Sequence, residues 1–287
     1  MRAFLPAYDL RAPATLPEAL ALLSDKASWR PFAGGTDLMV QLESGALPEG
    51  RYLGLWKLAE LRGIHVRPDG IDIGALTTYT DVMHDATLQR EYPLLGRAAA
   101  ETGGVATQNR GTIGGNIANA SPAADTPPAL LVYDAELELI SARGSRRVAY
   151  DRFHSGYKKM DLAPDELIAR IHLPRRASGW REHYRKVGTR RAQAISKVCL
   201  AAAIRITDAS LVDDVRIAFG SVAPMVIRAR AAEGALRGRV LDATAIAAAQ
   251  QALVTDIAPI DDIRSTKKYR LTVAGRLLAE FLDRLIG

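Results

Sequence analysis

The sequence predicts an α+β protein built from two domains. Its 287 residues suffice for about two domains of roughly 150 residues each. Hydrophobic residues make up 48% and charged residues 24% of the chain, which is ordinary globular composition and allows a large buried core. Strand and helix patterns both recur along the chain, separated by glycine and proline turns. Disorder, collagen-like repeats and coiled coils are therefore excluded.

Charge and residue usage narrow the classes of function. The 38 basic and 32 acidic residues leave a net charge of +6, which favours phosphates but is too small to indicate nucleic acid. The sequence has no apolar run that is long enough to span a membrane, and its first residues do not show the pattern of a secretory leader. We therefore expect a soluble, cytoplasmic protein. Cys199 is the one cysteine, which excludes a disulfide framework and a cysteine-ligated cluster. The five histidines lack metal-ligand spacing, so no metal site is expected.

The first 50 residues predict helix, strand, glycine-rich turn and helix, in that order. The signals are a capping pattern, a short apolar run, two adjacent glycines and a glycine stop. The predicted elements are a helix from the Thr15–Glu18 cap through Leu23, a strand over Trp29–Phe32, a glycine loop over 33–37, and a helix from Leu38 to about Ser44 before Gly45.

The middle of the chain predicts antiparallel strands and one long loop. Alternating apolar residues flank turn residues, which is the hairpin signal. Residues 103–128 hold five glycines and three prolines without an apolar period, which predicts a long structured loop that binds a ligand. The predicted elements are strands around the turn 68–70, a helix over 94–102, and strands over 132–140, 147–149 and 167–173.

The linker 174–179, Pro-Arg-Arg-Ala-Ser-Gly, predicts the domain boundary. We therefore expect one domain over 1–175, divided into subdomains 1–55 and 56–175, and a second over 176–287. The elements predicted beyond the linker are strands over 198–206 and 215–219 and helices over 243–253 and 269–285.

Two glycine pairs, Gly34–Gly35 and Gly114–Gly115, dominate the functional interpretation. Glycine permits positive φ and close approach of the backbone to a ligand. Successive N–H groups in such loops bind anions, and a following helix N-terminus adds partial positive charge. Two such loops suit an extended diphosphate. Neither matches the G-x-G-x-x-G fingerprint or a P-loop, so a nucleotide site here requires another fold.

The residues around these pairs resemble a known family. Ala33-Gly-Gly-Thr-Asp-Leu38 and Thr112-Ile-Gly-Gly-Asn-Ile-Ala-Asn-Ala-Ser-Pro-Ala-Ala-Asp125 are similar to the two FAD loops of the medium subunit of molybdenum hydroxylases, the xanthine dehydrogenase and carbon monoxide dehydrogenase family. Thr36-Asp37 stands where carbon monoxide dehydrogenases tend to have His-Ser, which resembles the xanthine dehydrogenase type. Further matching pieces run through the whole chain.

The resemblance implies a fold, a cofactor and partners. The implied fold is the FAD-binding fold of the vanillyl-alcohol oxidase type, with two α+β subdomains, followed by a smaller α+β C-terminal domain. The implied partners are a small subunit with two [2Fe–2S] clusters and a large subunit with the molybdopterin cofactor, as a dimer of heterotrimers. Electrons would pass from molybdenum through the clusters to FAD and then to an external acceptor.

The resemblance also implies the residues that contact FAD. The positions implied to line the FAD diphosphate are Pro31, Phe32, Ala33, Gly34, Gly35, Thr36, Asp37, Gly111, Thr112, Ile113, Gly114, Gly115 and Asn116. Ser121 and Asp125 follow at the family's spacing, with Asp125 an acceptor for a hydroxyl on the flavin side. Leu167 matches a position that touches the flavin, and Tyr184 and Lys186 lie in the family's aromatic-basic segment.

Two other classes of function remain as alternatives. A stand-alone FAD-dependent oxidoreductase on the same fold would need an acid–base pair beside the flavin, and the sequence places none. A non-enzymatic basic module would explain the run 175–191, with seven basic residues and one acid, but not the glycine pairs. We expect that run to be a solvated linker or a subunit and flavin contact.

Overall fold

The computed structural model describes residues 7–25, 28–190 and 193–286. Within these residues the strands form three sheets and one small hairpin, and helices cover the sheets. The strands are β1 (Tyr8–Arg11), β2 (Trp29–Phe32), β3 (Gly50–Gly54), β4 (Ile64–Val66), β5 (Gly70–Gly74), β6 (Glu136–Ser141), β7 (Gly144–Ala149), β8 (His154–Gly156), β9 (Lys159–Met160), β10 (Leu167–Pro174), β11 (Arg181–Val187), β12 (Val198–Ile206), β13 (Val212–Gly220) and β14 (Ile227–Arg228). The helices are α1 (Leu16–Ser24), α2 (Leu38–Glu43), α3 (Tyr79–His84), α4 (Ala86–Glu91), α5 (Pro93–Ala100), α6 (Val105–Arg110), α7 (Ile113–Ala118), α8 (Pro127–Val132), α9 (Tyr150–Phe153), α10 (Arg230–Leu236), α11 (Ala243–Asp256) and α12 (Lys267–Asp283).

The first sheet is a parallel β-α-β-α-β unit with the strand order β1-β3-β2. The predicted helix, strand and second helix are confirmed here. Thr15 caps α1 by accepting a hydrogen bond from the Glu18 N–H at 3.4 Å, and Ala19 and Leu23 bury the inner face of the helix. Gly45 adopts φ +70° just after α2, as a helix stop requires. Strands β1 and β3, which complete this sheet, were not predicted; they have four and five residues and pair with each other across about 40 residues of sequence.

The second sheet is antiparallel, with the order β4-β5-β10-β6-β7. All four predicted strand regions are found, and β6 buries every second residue, as a strand with one covered face should. Across its outer face, Arg170 bonds Glu138 with 2.9 Å between Nη1 and Oε2. The helices α3, α4, α5, α7 and α8 pack over this sheet and form the largest hydrophobic core, whereas α6 buries no residue.

Two predictions in this region are wrong. Residues 103–128 do not form one long loop, because they contain α6 and α7 and the start of α8. Each of these helices has six residues, too few to show an amphipathic period in the sequence. The strand predicted over 132–140 begins only at Glu136, because Pro127 at the start of α8 favours a helix that runs to Val132.

The third sheet, β11-β12-β13-β14, is antiparallel and packs on both of its faces. The side chains of Cys199, Ala201 and Ala203 join the core beneath α8, while those of Val198 and Leu200 join a core formed with α10 to α12. Small residues on the first face let the sheet approach α8 closely. Cys199 is fully buried, as predicted for a small hydrophobic residue.

The linker between the second and third sheets is also packed against the protein. Arg176 is buried between the rings of Tyr133 and Trp180, with its guanidinium carbon 4.9 and 4.2 Å from the ring centres. Its Nη1 lies 2.5 Å from Glu182 Oε1. This part of the basic run is therefore a structural contact between sheets. In the described part of the chain, every helix is too short or too polar to cross a bilayer.

Candidate cofactor-binding site

A cavity of about 570 Å³ lies where the first sheet faces the second. Its walls come from residues 33–37, which we call the first glycine segment, and from 111–116, the second glycine segment. The first two residues of β10 and the turn of the β8–β9 hairpin close the remaining sides. A cavity of this size falls in the range that binds small molecules and cofactors.

The first glycine segment joins β2 to α2 and leaves hydrogen-bond donors free. Gly35 has φ +81°, where a side chain would be strained, and a Cβ there would lie 2.8 Å from the Phe32 ring. Its carbonyl accepts from the Met39 N–H and so begins α2. The N–H groups of residues 34–37 have no acceptor among the described residues. They are available to a ligand in the cavity.

The second glycine segment leads into α7, and the N–H groups of Gly111 and of residues 113–116 are occupied. Thr112 caps the helix, because its Oγ1 accepts from the Gly115 N–H at 3.1 Å. The N–H groups of Ile113 and Gly114 donate to Thr77 and Ala75, and that of Asn116 donates to Thr112. The expected anion-binding concavity of successive N–H groups is therefore absent from residues 113–116. None of these glycines has positive φ.

Close packing explains the glycines of the second segment. A Cβ on Gly114 would lie 2.5 Å from the Ala75 Cβ, and a Cβ on Gly111 would lie 2.6 Å from the Tyr79 ring. Gly115 differs, because beyond its cap Thr112 the nearest atom to a Cβ is the Ala33 Cβ at 3.9 Å. Gly115 thus presents bare backbone to the cavity. The two segments also touch: a Cβ on Gly34 would lie 1.6 Å from the carbonyl oxygen of Arg110.

The structure brings most of the implied FAD contacts to this cavity. The implied residues that line it are Pro31, Ala33, Gly34, Gly35, Thr36, Asp37, Thr112, Gly114, Gly115, Asn116 and Leu167. Those outside the lining are Phe32, Gly111, Ile113, Ser121, Asp125, Tyr184 and Lys186. Phe32 and Gly111 support the two segments from behind, and Ser121 Oγ accepts from the Ala123 N–H at 3.2 Å.

Asp125, Tyr184 and Lys186 form one buried cluster between α8 and the third sheet. Asp125 accepts hydrogen bonds from Lys186 Nζ at 2.7 Å and from Ser196 Oγ at 2.6 Å. The Tyr184 hydroxyl donates to the Asp125 carbonyl at 3.2 Å and accepts from the Cys199 thiol at 3.2 Å. Burial raises the pKa of the Asp125 carboxyl, while Lys186 and Ser196 act in the opposite direction. Burial also raises the pKa values of Tyr184 and Cys199.

Tyr79 connects this cluster to the cavity. Its side chain lines the cavity, and its pKa is raised, first by burial and then by the negative charge of Asp125. Asp125 itself does not line the cavity. Its carboxylate accepts two hydrogen bonds and has capacity for more.

The sequence did not reveal the apolar wall of the cavity or most of its charged groups. Both depend on tertiary contacts between segments far apart in the chain. The apolar wall consists of Leu55, Leu61, Leu76, Met160, Leu162 and Ile168. The further polar residues of the lining are Arg30, Gln41, Asn119, Lys158 and Glu166.

The arrangement suits a ligand with an anionic part and a flat apolar part. Free main-chain N–H groups and two cationic side chains face one region, and aliphatic side chains face another. Among the described residues of the lining there is neither a histidine nor a cysteine. The lining therefore lacks the usual nucleophile and base pair, and the chemistry would come from a bound cofactor.

Comparison with known families agrees with this geometry over nearly the whole chain. Residues 6–176 match the model of the FAD binding domain in molybdopterin dehydrogenase. Residues 182–285 match the CO dehydrogenase flavoprotein C-terminal domain.

Individual relatives are similar along their full length. The xanthine dehydrogenase FAD-binding subunit of Escherichia coli O157:H7 is 36% identical over 263 residues, covering 90% of this chain and 89% of that subunit. The glyceraldehyde dehydrogenase medium chain of Sulfolobus acidocaldarius is 32% identical, covering 93% and 94%. The medium chain of carbon monoxide dehydrogenase from Hydrogenophaga pseudoflava is 29% identical, covering 97% and 96%.

Solved structures share the complete fold. A chain of carbon monoxide dehydrogenase from Hydrogenophaga pseudoflava superposes with a TM-score of 0.92 at 29% identity, and the match covers 98% of each chain. A chain of quinoline 2-oxidoreductase from Pseudomonas putida 86 gives a TM-score of 0.90 at 27% identity, covering 98% of this chain and 97% of that one. The expected order, an FAD-binding domain followed by a C-terminal domain, is confirmed.

Proposed function

The chain belongs to the family of FAD-binding medium subunits of molybdenum hydroxylases, and on that premise we propose that it is the electron-transfer subunit of a heterotrimeric enzyme. In this role it takes electrons from the [2Fe–2S] clusters of a small partner subunit and passes them to an external acceptor. A large partner subunit holds the molybdopterin cofactor and the substrate. The complex is a cytoplasmic dimer of heterotrimers.

One observation carries the assignment of the cofactor site: the cavity is enclosed by two glycine segments, one of which presents unpaired main-chain N–H groups. Such donors stabilise a diphosphate without requiring a charged side chain at each oxygen. The aliphatic wall beyond them fits a flat ring system, whose burial is favourable. The residues present therefore fit FAD.

We assign the two segments different tasks. The first segment donates main-chain hydrogen bonds to the diphosphate, while Pro31 before it lines the cavity and the Phe32 ring packs against Gly35. The second, Gly111 to Asn116, forms the opposite wall, where Gly115 lets the ligand lie against bare backbone. Leu167 contributes an apolar contact to the flavin.

The buried cluster serves the flavin end of the cofactor. We assign Asp125 the acceptor role for a hydroxyl of the flavin side chain, with Lys186, Ser196 and Tyr184 holding its carboxylate and backbone in place. Ser121, at the family's spacing before Asp125, belongs to the same region. FAD bound here supplies the ability to take up electrons singly and release them as a pair.

The partners follow from what this chain lacks and from what its relatives are. One cysteine cannot hold a [2Fe–2S] cluster, which takes four ligands. Among the relatives is a medium chain of carbon monoxide dehydrogenase, and one similar structure is that of a Cu,Mo-CO dehydrogenase. A stand-alone flavin oxidoreductase has less support, since the similar proteins named above are an FAD-binding subunit and medium chains of dehydrogenases.

The test is an absorption spectrum of the chain, purified after expression with its genomic neighbours, before and after acid release of cofactor. We expect FAD in the acid supernatant and iron–sulfur absorbance in a co-purifying complex. Released FAD from a lone chain that oxidises a substrate would instead support the stand-alone oxidoreductase. FAD at a hundred times its Kd should stabilise the fold by roughly 2.7 kcal/mol. The assignment of the cavity would therefore be contradicted by a chain that is colourless and whose melting temperature does not change when FAD is added.

A further inference from the structure

Lys158 occupies an unusual position beside the cavity. It lies at the turn of the β8–β9 hairpin with φ +55°, a left-handed conformation that residues other than glycine, asparagine and aspartate seldom adopt. Its side chain nevertheless lines the cavity. A strained backbone that is kept at a ligand cavity suggests that the side chain it directs has a task there.

The ammonium group of Lys158 is held by a short chain of hydrogen bonds across the edge of the cavity. Its Nζ donates to the main-chain carbonyl of Asn119 and, at 2.7 Å, to Asn119 Oδ1. The Asn119 amide donates in turn to Asp37 Oδ1 at 3.3 Å. The chain of bonds thus ties the hairpin to the end of α7 and to the start of α2. An ammonium has three donors, so one N–H of Lys158 remains for a ligand.

Without Lys158, the side chains of the lining would carry too little positive charge to balance a dianionic ligand. In the described lining the cations are Arg30 and Lys158, and the anions are Asp37 and Glu166. Arg146 neutralises Glu166, with 2.7 Å between Nε and Oε1. The cavity therefore carries two cations and one unneutralised carboxylate. Without Lys158, Arg30 would face Asp37 alone, and a diphosphate would enter a site with no excess positive charge.

We propose that Lys158 is the residue that compensates the charge of the diphosphate of FAD, donating its remaining N–H to a phosphate oxygen while Asn119 holds it. The inference rests on the proposed function, because it requires a diphosphate in this cavity. Arg30, in β2 of the first sheet, supplies the second positive charge of the lining. Neither residue is part of a glycine segment, which is why the glycine motifs alone do not reveal them.

The ionisation of Lys158 gives the proposal a second signature. Partial burial lowers the pKa of its ammonium group; the positive charge of Arg30 adds to this effect and the carboxylate of Asp37 opposes it. A bound diphosphate favours the charged form, so FAD binding is coupled to proton uptake when the free lysine begins to lose its proton. FAD affinity should then fall as the pH rises, earlier than for an unperturbed lysine.

The test compares Lys158→Met with Lys159→Met in the full chain freed of flavin. Lys159 is the next residue, is also exposed, and lies outside the cavity lining, so its replacement is matched in charge and size. We expect Lys158→Met to weaken FAD binding by roughly 10- to 100-fold, the effect of losing a hydrogen bond to a charged group, and to weaken ADP binding similarly. Lys159→Met should stay within about twofold of the unaltered chain, because its exposed charge lies outside the cavity lining and is screened by solvent.

A third variant separates charge from structure. Lys158→Arg keeps the positive charge at all accessible pH values, so it should retain most of the affinity and lose the fall at high pH. Lys158→Met should show weak, pH-independent binding with an unchanged melting temperature. Equal affinities of Lys158→Met and the unaltered chain, or equal losses in both methionine variants, would overturn the proposal while leaving the FAD site intact. Failure of the unaltered chain to bind FAD would overturn the proposed function as well.

Discussion

The two glycine segments look alike in the sequence and serve different physical purposes in the structure. In the first, Gly35 needs positive φ, and the backbone around it leaves N–H groups unpaired. In the second, the N–H groups are used within the chain, and the glycines keep α7 close to Ala75 and Tyr79. A double glycine therefore indicates a place where the backbone closely approaches another group of atoms. It does not say whether that something is a ligand or the protein itself.

The difference also changes which segment should control binding. The second motif is the longer and more specific match to the family, yet its helix is capped and its donors are satisfied. The first motif is short and weak as a pattern, yet it holds the free donors. Specificity of a sequence motif and its share of the binding energy are thus separate quantities here.

The largest effect is expected at Gly34, where the two segments touch. Gly34→Ala places a Cβ 1.6 Å from the Arg110 carbonyl oxygen, a backbone atom that cannot rotate away. We expect a loss on the order of 3 kcal/mol or more in the free energy of unfolding, together with loss of FAD binding. Urea unfolding and flavin fluorescence measure the two effects.

Gly96→Ala is the matched control for this substitution. Gly96 lies inside α5, its φ is not positive, and the space that an alanine methyl group would occupy has no other atom within 4 Å. Alanine there should stabilise the helix by about 0.5–1 kcal/mol. If Gly34→Ala were no more destabilising than Gly96→Ala, the contact between the two segments would have no energetic role.

A pair of neighbouring variants tests the division of labour inside the second segment. Gly115→Val should lower FAD affinity by at least about 100-fold, because its side chain enters the cavity, while the fold loses no more than about 1.5 kcal/mol. Gly114→Ala should instead destabilise the fold by about 1–3 kcal/mol, because its Cβ would lie 2.5 Å from Ala75. The readouts are the unfolding midpoint and an FAD titration. Retention of full flavin by Gly115→Val would contradict the assignment of that wall.

The smallest effect concerns the residues that begin α7 and α2. Thr112 makes a capping hydrogen bond to Gly115, whereas Asp37 makes no capping bond and contacts Gln41 and Asn119 instead. We expect Thr112→Ala to cost about 1 kcal/mol of unfolding free energy, and Asp37→Ala to cost under about 0.5 kcal/mol. Thermal unfolding of both variants decides the point. Equal losses would show that the two helix starts are alike after all.

Local patterns predicted much of the secondary structure correctly. Capping and strand periodicity involve residues that are close together in the chain, so they can be recognised from the sequence. This is how the cap at Thr15, the strand β10 and the strand β12 were predicted. The short helices α6 to α8 were not predicted because six residues make fewer than two turns and their stability comes from packing. Strands β1 and β3 were not predicted because their pairing partners are distant in sequence.

In the candidate site, too, some features could be predicted from the sequence and others depend on contacts between distant segments. The sequence by itself determined the family, the two glycine segments and the placement of Leu167, since these depend on residue identity at fixed spacing. Only the tertiary structure decided which N–H groups stay free, that Lys158 reaches the cavity, and that Asp125, before α8, is held by Lys186 of the third sheet. The reason is that hydrogen-bond satisfaction and charge balance are properties of all groups that meet at a point in space, and those groups come from segments far apart along the chain.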